Sequence, residues 1–169
     1  MSVEIIKATE HDADAIFFLV QECALDLQTQ GLNNWMRYTR DKIVCNLEKS
    51  DVYLLYKDTL VIGTITLGTT EPQFYTREDK NLWKEKEDPG LYFETIAVKP
   101  SFQGKGYGSK LLDFAQQEAL KRGLRYMHMT SFYDNKPLTE YYLRKGFRFL
   151  QTRFVEEIGL KSNFYEKEL

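Results

Sequence analysis

With four prolines and two cysteines among 169 residues, the chain has neither a proline-rich linker nor a disulfide framework. Cys23 and Cys45 both fall in helical patterns without metal-ligand spacing, so two reduced, partly buried thiols are expected, and no metal site. Long hydrophobic runs are missing as well. The longest, Ala15 to Val20, is far short of a bilayer span, and Met1-Ser2-Val3-Glu4 carries no basic region before an apolar core. Both point to a soluble, cytoplasmic protein with no membrane partner. Neither sign of charge dominates: a formal net charge of −2 and a pI near 5.8 argue against nucleic acid as the main partner. No composition shift, repeat or low-complexity tract marks a boundary, so the 43% of apolar residues are expected to serve one domain, 1–169.

What the chain does contain is most concentrated between Leu91 and Gly123. Tyr92, Phe93, Thr95, Ile96, Ala97 and Val98 form a run suited to a central strand buried on both faces, and Pro100 stops it. The loop Gln103-Gly104-Lys105-Gly106-Tyr107-Gly108 follows. Its alternating glycines leave backbone N–H groups uncovered at the mouth of a helix, where the dipole favours anions. Leu111, Leu112, Phe114, Ala115, Ala119 and Leu120 then fall on a helical stripe closed by Lys121, Arg122 and Gly123.

Upstream, Val3 to Lys7 reads as a short strand, and Thr9 with Asp12 three residues on resembles a capping box opening a helix. That helix carries Ile16, Phe17, Val20, Ala24 and Leu27 inward and ends at Gly31. A shorter one begins near Thr39 with Ile43, Val44 and Leu47 inward. Val52 to Tyr56 and Leu60 to Leu67 form a hairpin over Lys57-Asp58-Thr59, with a bulge at Gly63. Glu71 to Gly90 mixes Phe74, Tyr75 and Trp83 with many charges, and a connection so long is either a lid or short helix over a substrate site or a plain solvated loop.

Downstream, Arg125 to Thr130 is a strand, and Asn135-Lys136-Pro137 opens a helix bearing Tyr141 and Tyr142. Gly146 closes that helix, with Phe147 as the apolar contact beyond it. Two strands, Phe147 to Phe154 and Ser162 to Leu169, finish the chain. The order β-α-α-β-β-β-α-β-α-β-β predicts an α/β (α+β) fold with a central, mixed, twisted sheet flanked by helices. Parallel crossovers are expected among the strands at Leu91, Arg125 and Phe147, and the exposed final strands are available to pair across a homodimer.

The glycine loop fits some phosphate binders and not others. A nucleoside-triphosphate loop needs Gly, four residues, then Gly-Lys-Ser/Thr, but here Gly106 follows Gly104-Lys105 and the upstream position is Lys99. A dinucleotide fingerprint needs Gly-x-Gly-x-x-Gly and an acid about twenty residues on, where this chain has Arg125 and His128. A glycine-rich turn with no ligand stays open. The pattern that remains is Gln-x-x-Gly-x-Gly after a strand and a proline. Carried by Gln103, Gly106 and Gly108, it resembles the GNAT superfamily of acetyl-CoA-dependent N-acetyltransferases. Asn135, with Tyr142 four residues before Gly146-Phe147, is similar to a second patch of that family, and the element order matches it over nearly the whole chain.

The resemblance implies transfer of an acetyl group from acetyl-CoA, as co-substrate, to a primary amine, directly in a ternary complex and without a metal. It implies that the pantetheine arm pairs with Ile96, Ala97 and Val98 like an added strand, and that the pyrophosphate lies on Gln103, Gly104, Lys105, Gly106, Tyr107, Gly108 and Ser109. Asn135, Pro137, Tyr142 and Lys145 would complete the coenzyme site, with lysines such as Lys105, Lys110 or Lys145 either offsetting phosphate charge or, as for Lys110 first of all, remaining ordinary solvated charges. Backbone N–H groups of Ile96 to Val98 would receive the oxyanion.

An alkylammonium has a pKa near 10.4, so about one molecule in a thousand is nucleophilic at neutral pH and a base is needed. Glu94, on a buried strand that raises its pKa, is that base, directly or through water, or else a carboxylate satisfied by a neighbouring Arg or Tyr. His128 is its rival, and His11 is a surface residue. Tyr142 stands where the family has its general acid for the departing thiolate, beside Tyr141 as core packing. Neither cysteine joins a Cys/His constellation that would argue for an acyl-enzyme. The acids of the insertion, with Trp35 and Trp83, suggest a cationic amine such as a polyamine or a lysine side chain. A non-catalytic acyl-CoA-binding regulatory module is the other reading.

Overall fold

The computed structural model describes residues 2–33, 35–36, 38–69, 90–156 and 158–169. Among them the elements follow in the predicted order: β1 (Val3–Lys7), α1 (Ala13–Thr29), α2 (Arg40–Lys49), β2 (Asp51–Lys57), β3 (Leu60–Gly68), β4 (Gly90–Val98), α3 (Tyr107–Lys121), β5 (Tyr126–Phe132), α4 (Lys136–Arg144), β6 (Arg148–Val155) and β7 (Leu160–Glu168). The strands form one sheet in the order β1-β2-β3-β4-β5-β7-β6. It is mixed, because β4 and β5 run parallel while β1 with β2, β2 with β3, β5 with β7 and β6 with β7 run antiparallel. No described helix is long and apolar enough to cross a membrane.

The chain divides into two compact units, and β4 and α3 each pass from one to the other. The first runs up to Leu67 and resumes over Glu94–Ala115. Its core joins Ala13, Ile16 and Val20 of α1 to Ile43 of α2 and to Val52 and Leu54 of β2, while Leu19 and Cys23 pack on Ala97. Caps set the helix starts. The Asp12 carboxylate accepts from the Thr9 amide at 2.8 Å, but this box closes a single 3-10 turn, Glu10–Asp12, and α1 follows it. Thr39 Oγ1 accepts from the Lys42 amide at 3.3 Å and opens α2. The bulge in β3 falls at Ile62, between the pairs Tyr56↔Val61 and Leu55↔Gly63. Gly63 beside it has its own reason to be glycine, since a Cβ there would lie 2.9 Å from the Ala97 carbonyl oxygen.

The second unit holds the start of β4 and Gln116–Leu169. Asn135 Oδ1 accepts from the Leu138 amide at 3.2 Å and caps α4, whose first turn tolerates Pro137 because an N–H there would have no helical partner. Gly146, at φ 83°, ends that helix, and the Phe147 amide donates back to the Tyr142 carbonyl at 3.1 Å.

Three expectations need correction. Burial in β4 alternates, with Leu91, Phe93, Thr95 and Ala97 buried and Tyr92, Glu94 and Ile96 half-buried, so β4 does not hide both faces. The continuous burial belongs instead to β3 from Ile62 to Leu67 and to β7 from Ser162 to Glu166. β7 inserts between β5 and β6, which keep the expected parallel sense, so of the final pair only β6 lies at the sheet edge. Leu120 is 54% exposed. At 100° per residue, Leu111, Leu112, Ala115 and Ala119 share an arc of about 100°, and Leu120 lies on the far side of α3.

Candidate active site

The ladder between β4 and β5 takes in Gly90↔Tyr126, Leu91↔Met127 and Tyr92↔His128 and ends there among the described residues. Shortly afterwards the strand itself turns irregular: Thr95 has φ 52°. A β-branched residue in the left-handed region is an outlier that costs about 1–3 kcal/mol and persists only where its surroundings hold it. Tyr38 supplies the hold, its hydroxyl 2.5 Å from Thr95 Oγ1, while Asn46 Nδ2 donates to the same phenol oxygen at 2.9 Å. Glu94 precedes this distortion. Burial pushes its carboxyl above the ordinary value, and the charge of Lys42 on α2 pulls it part of the way back. Burial, and then the charge of Glu94, likewise raise Tyr38, which stays a neutral hydrogen-bonding phenol.

Past β4, the loop presents backbone rather than side chains. Gln103 Nε2 donates to the Val98 carbonyl at 3.0 Å, and Lys105 Nζ donates to the Ser101 carbonyl at 2.7 Å while lying 5.4 Å from the Phe102 ring centre. Gly104 and Gly106 adopt φ 71° and 83°. A Cβ at Gly104, Gly106 or Gly108 would meet no protein atom within 4 Å. Gly108 is therefore neither crowded nor left-handed, and its missing side chain leaves open space beside the first turn of α3. Tyr107 and Gly108 begin that turn, so their amides lie at the helix mouth, where the dipole favours an anion.

In the second unit Tyr142 is 1% exposed. Its ring lies 5.8 Å from that of Phe147, 6.0 Å from Tyr165 and 6.2 Å from Phe93. Burial raises its phenol far above the ordinary value, so it keeps its proton at any working pH. Tyr141, half-buried, lies in ring contact with it. Lys145 Nζ sits 6.0 Å from the Tyr141 ring centre, and the Lys145 carbonyl accepts from Lys167 Nζ at 2.9 Å. Because Asn135 Oδ1 caps α4, its Nδ2 is the group left to reach a ligand.

The family model for acetyltransferases of the GNAT family matches residues 13–147. The chain belongs to that family. It is 24% identical over 148 residues to the uncharacterized N-acetyltransferase YesJ of Bacillus subtilis, covering 85% of this chain and 80% of that protein. It is 26% identical over 159 residues to the aminoalkylphosphonate N-acetyltransferase of Salmonella typhimurium, covering 92% and 91%. The fold is shared with the paia N-acetyltransferase of Thermoplasma acidophilum, solved in complex with coenzyme A, at a TM-score of 0.73 and 18% identity over 100% of each chain. In general terms this GNAT protein is an acetyl-CoA-dependent N-acetyltransferase.

Open space at three glycines at the mouth of α3 fits a GNAT diphosphate cradle, and the Gln103 side chain braces the Val98 carbonyl beside it. That carbonyl also accepts from Cys23 Sγ at 3.3 Å, so of Val98 only the N–H is left to pair with a ligand. Burial pushes the Cys23 thiol up to about 12, which makes it a poor nucleophile. His128 is 2% exposed, and its ring packs on Tyr92 and Tyr126 at 5.0 and 6.1 Å. Burial lowers its pKa to about 4 against the opposing pull of Glu166, so it is a weak base at neutral pH. His11 is exposed. Trp35 packs against Leu19, Cys23 and Ala97, while Trp83 and the acids between 71 and 88 lie outside the described residues. Sequence reasoning missed Thr95, Tyr38 and Asn46. The one available signal was Asn46, a polar residue on the inward face of α2.

Proposed function

We propose that this GNAT protein acetylates a primary amine directly, with amine and acetyl-CoA bound together, and that residues 1–169 act as one N-acetyltransferase domain. Acetyl-CoA supplies the acyl group as a thioester. Glu94 takes the proton of the ammonium, directly or through water, and Tyr142, protonated in the resting enzyme, gives its proton to the departing sulfur and regains one before the next turnover. The amides of Ile96, Ala97 and Val98 serve the pantetheine chain and the oxyanion, and those of residues 103–109 hold the diphosphate. Asn135, Pro137, Tyr142 and Lys145 complete the coenzyme site.

One observation carries this reading: a single stretch of β4 and its loop presents, in turn, a carboxyl raised by burial, strand amides beyond the end of the β5 ladder, and a glycine cradle with room around it. The two thiols, free in the fold, suit a reducing compartment such as the cytoplasm. Two acceptor classes are to be separated. Simple cationic amines suit a carboxylate base. An amine bearing an acidic group is favoured by Lys42, whose charge acts on Glu94, and one relative is named for aminoalkylphosphonates.

The test is thiol release from acetyl-CoA with a panel of spermidine, a lysine peptide, 2-aminoethylphosphonate and an uncharged amine. Saturable turnover with at least one, giving intersecting double-reciprocal lines, is expected. Parallel lines with acetyl label retained on the protein would replace direct transfer by an acyl-enzyme.

A further inference from the structure

The distortion of β4 next to Glu94 is held from outside the strand. Tyr38, between α1 and α2, brings its hydroxyl to Thr95 Oγ1, and Asn46 donates to the same phenol oxygen. Asn46 thus fills one acceptor position of the phenol oxygen, and the hydroxyls of Tyr38 and Thr95 share the bond between them. Tyr38 is itself fixed: Gln21 Nε2 donates to its carbonyl at 2.9 Å, and its amide donates to the Trp35 carbonyl at 2.9 Å. Asn46 is 5% and Thr95 8% exposed, so water competes little for these bonds.

A strand residue has φ near −120° to −140°. At 52°, the peptide unit before Thr95 is turned by roughly 180° against the unit after it, relative to a regular strand. The torsion at this one residue thus sets how Glu94 is oriented against the amides that follow. We propose that Tyr38 is a positioning residue for acetyl transfer: by bonding Thr95 it keeps β4 in the conformation that aligns Glu94 with the amides of Ile96, Ala97 and Val98. This role rests on Glu94 being the base.

Tyr38→Phe keeps the ring and removes the hydroxyl. With an amine that the wild-type protein acetylates, kcat falls roughly 10- to 100-fold, more than KM changes, since small misplacements of reacting groups have effects of that size. The acidic limb of the kcat/KM pH profile, which reports the base, shifts as well. Glycine adopts positive φ without strain, so in a Thr95→Gly background the hydroxyl is no longer needed, and Thr95→Gly/Tyr38→Phe matches Thr95→Gly alone. Wild-type kinetics and pH profile in Tyr38→Phe overturn the proposal. So does a loss as large in the Thr95→Gly background as in the wild type, which would place the role of Tyr38 elsewhere. Should Tyr38→Phe not fold, Thr95→Val removes the other half of the bond at nearly constant shape, and wild-type kinetics there overturn it equally. A wild-type protein that binds coenzyme A yet acetylates no amine refutes the assigned function first, and the role of Tyr38 with it.

Discussion

At Glu94 folding and chemistry pull in opposite directions. Burial raises its folded pKa above the unfolded value, so between those two values the native state holds more protons than the unfolded chain. Stability then falls as pH rises through that window and stays reduced above it. A base, however, must be ionised to act. Glu94→Gln should therefore raise the melting temperature at pH 8 while lowering turnover by about 10²-fold or more. Thermal unfolding and steady-state rates on one preparation check both halves, and a variant that is less stable and fully active would remove the carboxyl from the chemistry. Cys23 gives a second prediction at this scale. With its thiol pushed up to about 12 and bonded to the Val98 carbonyl, it should remain unmodified when the native protein meets iodoacetamide at pH 8, as read by mass spectrometry. The carboxyl and the thiols were visible in the sequence because their chemistry belongs to residue type. Thr95 was not, since its φ is imposed by Tyr38, 57 positions away in the chain.

Among the elements, the loop that opens α3 separates two reasons for glycine. Gly106 needs φ 83°, whereas Gly108 has ordinary helical backbone and open space around it. Gly106→Val should lose stability and coenzyme binding together. Gly108→Val should keep its melting temperature within about 2 °C, on the scale at which a helical glycine replacement moves stability by less than about 1 kcal/mol, yet lose the thermal shift produced by coenzyme A. Retained coenzyme binding in Gly108→Val would put the diphosphate elsewhere. This element was legible but for Leu120, which falls off the buried face, because glycine spacing, proline stop and helical stripe are local signals. β4 was legible in place and length but not in burial. Its apolar run includes residues on a half-buried face, and a run of that kind does not reveal which faces other elements cover.

At the scale of the whole molecule, the order of elements could be read, but the order of strands could not: placing β7 between β5 and β6 depends on pairings such as Met129↔Tyr165 and Thr152↔Asn163. That insertion also creates an acid-sensitive point in the sheet. His128 on β5 pairs in register with Glu166 on β7, its Nδ1 3.7 Å from Glu166 Oε2, and Arg148 of β6 donates to the other oxygen of Glu166 at 2.8 Å. The aromatic rings of Tyr92 and Tyr126 pack against the imidazole, and a Cβ at Gly90 would run into it. Burial is the larger influence and Glu166 the smaller, so the folded pKa falls from 6.5 to about 4. Below 6.5 the unfolded chain takes up a proton that the native state refuses until about 4. Stability should then decline across that window by roughly 3 kcal/mol, at 1.36 kcal/mol per pKa unit, with no further loss from this group at lower pH. Urea titrations between pH 4 and 7 on the wild-type protein and His128→Gln read this directly. The variant loses packing and is weaker at pH 7, but its stability should depend less on pH by about that amount. Parallel pH dependences for the two proteins would mean that the imidazole gains its proton without leaving the sheet.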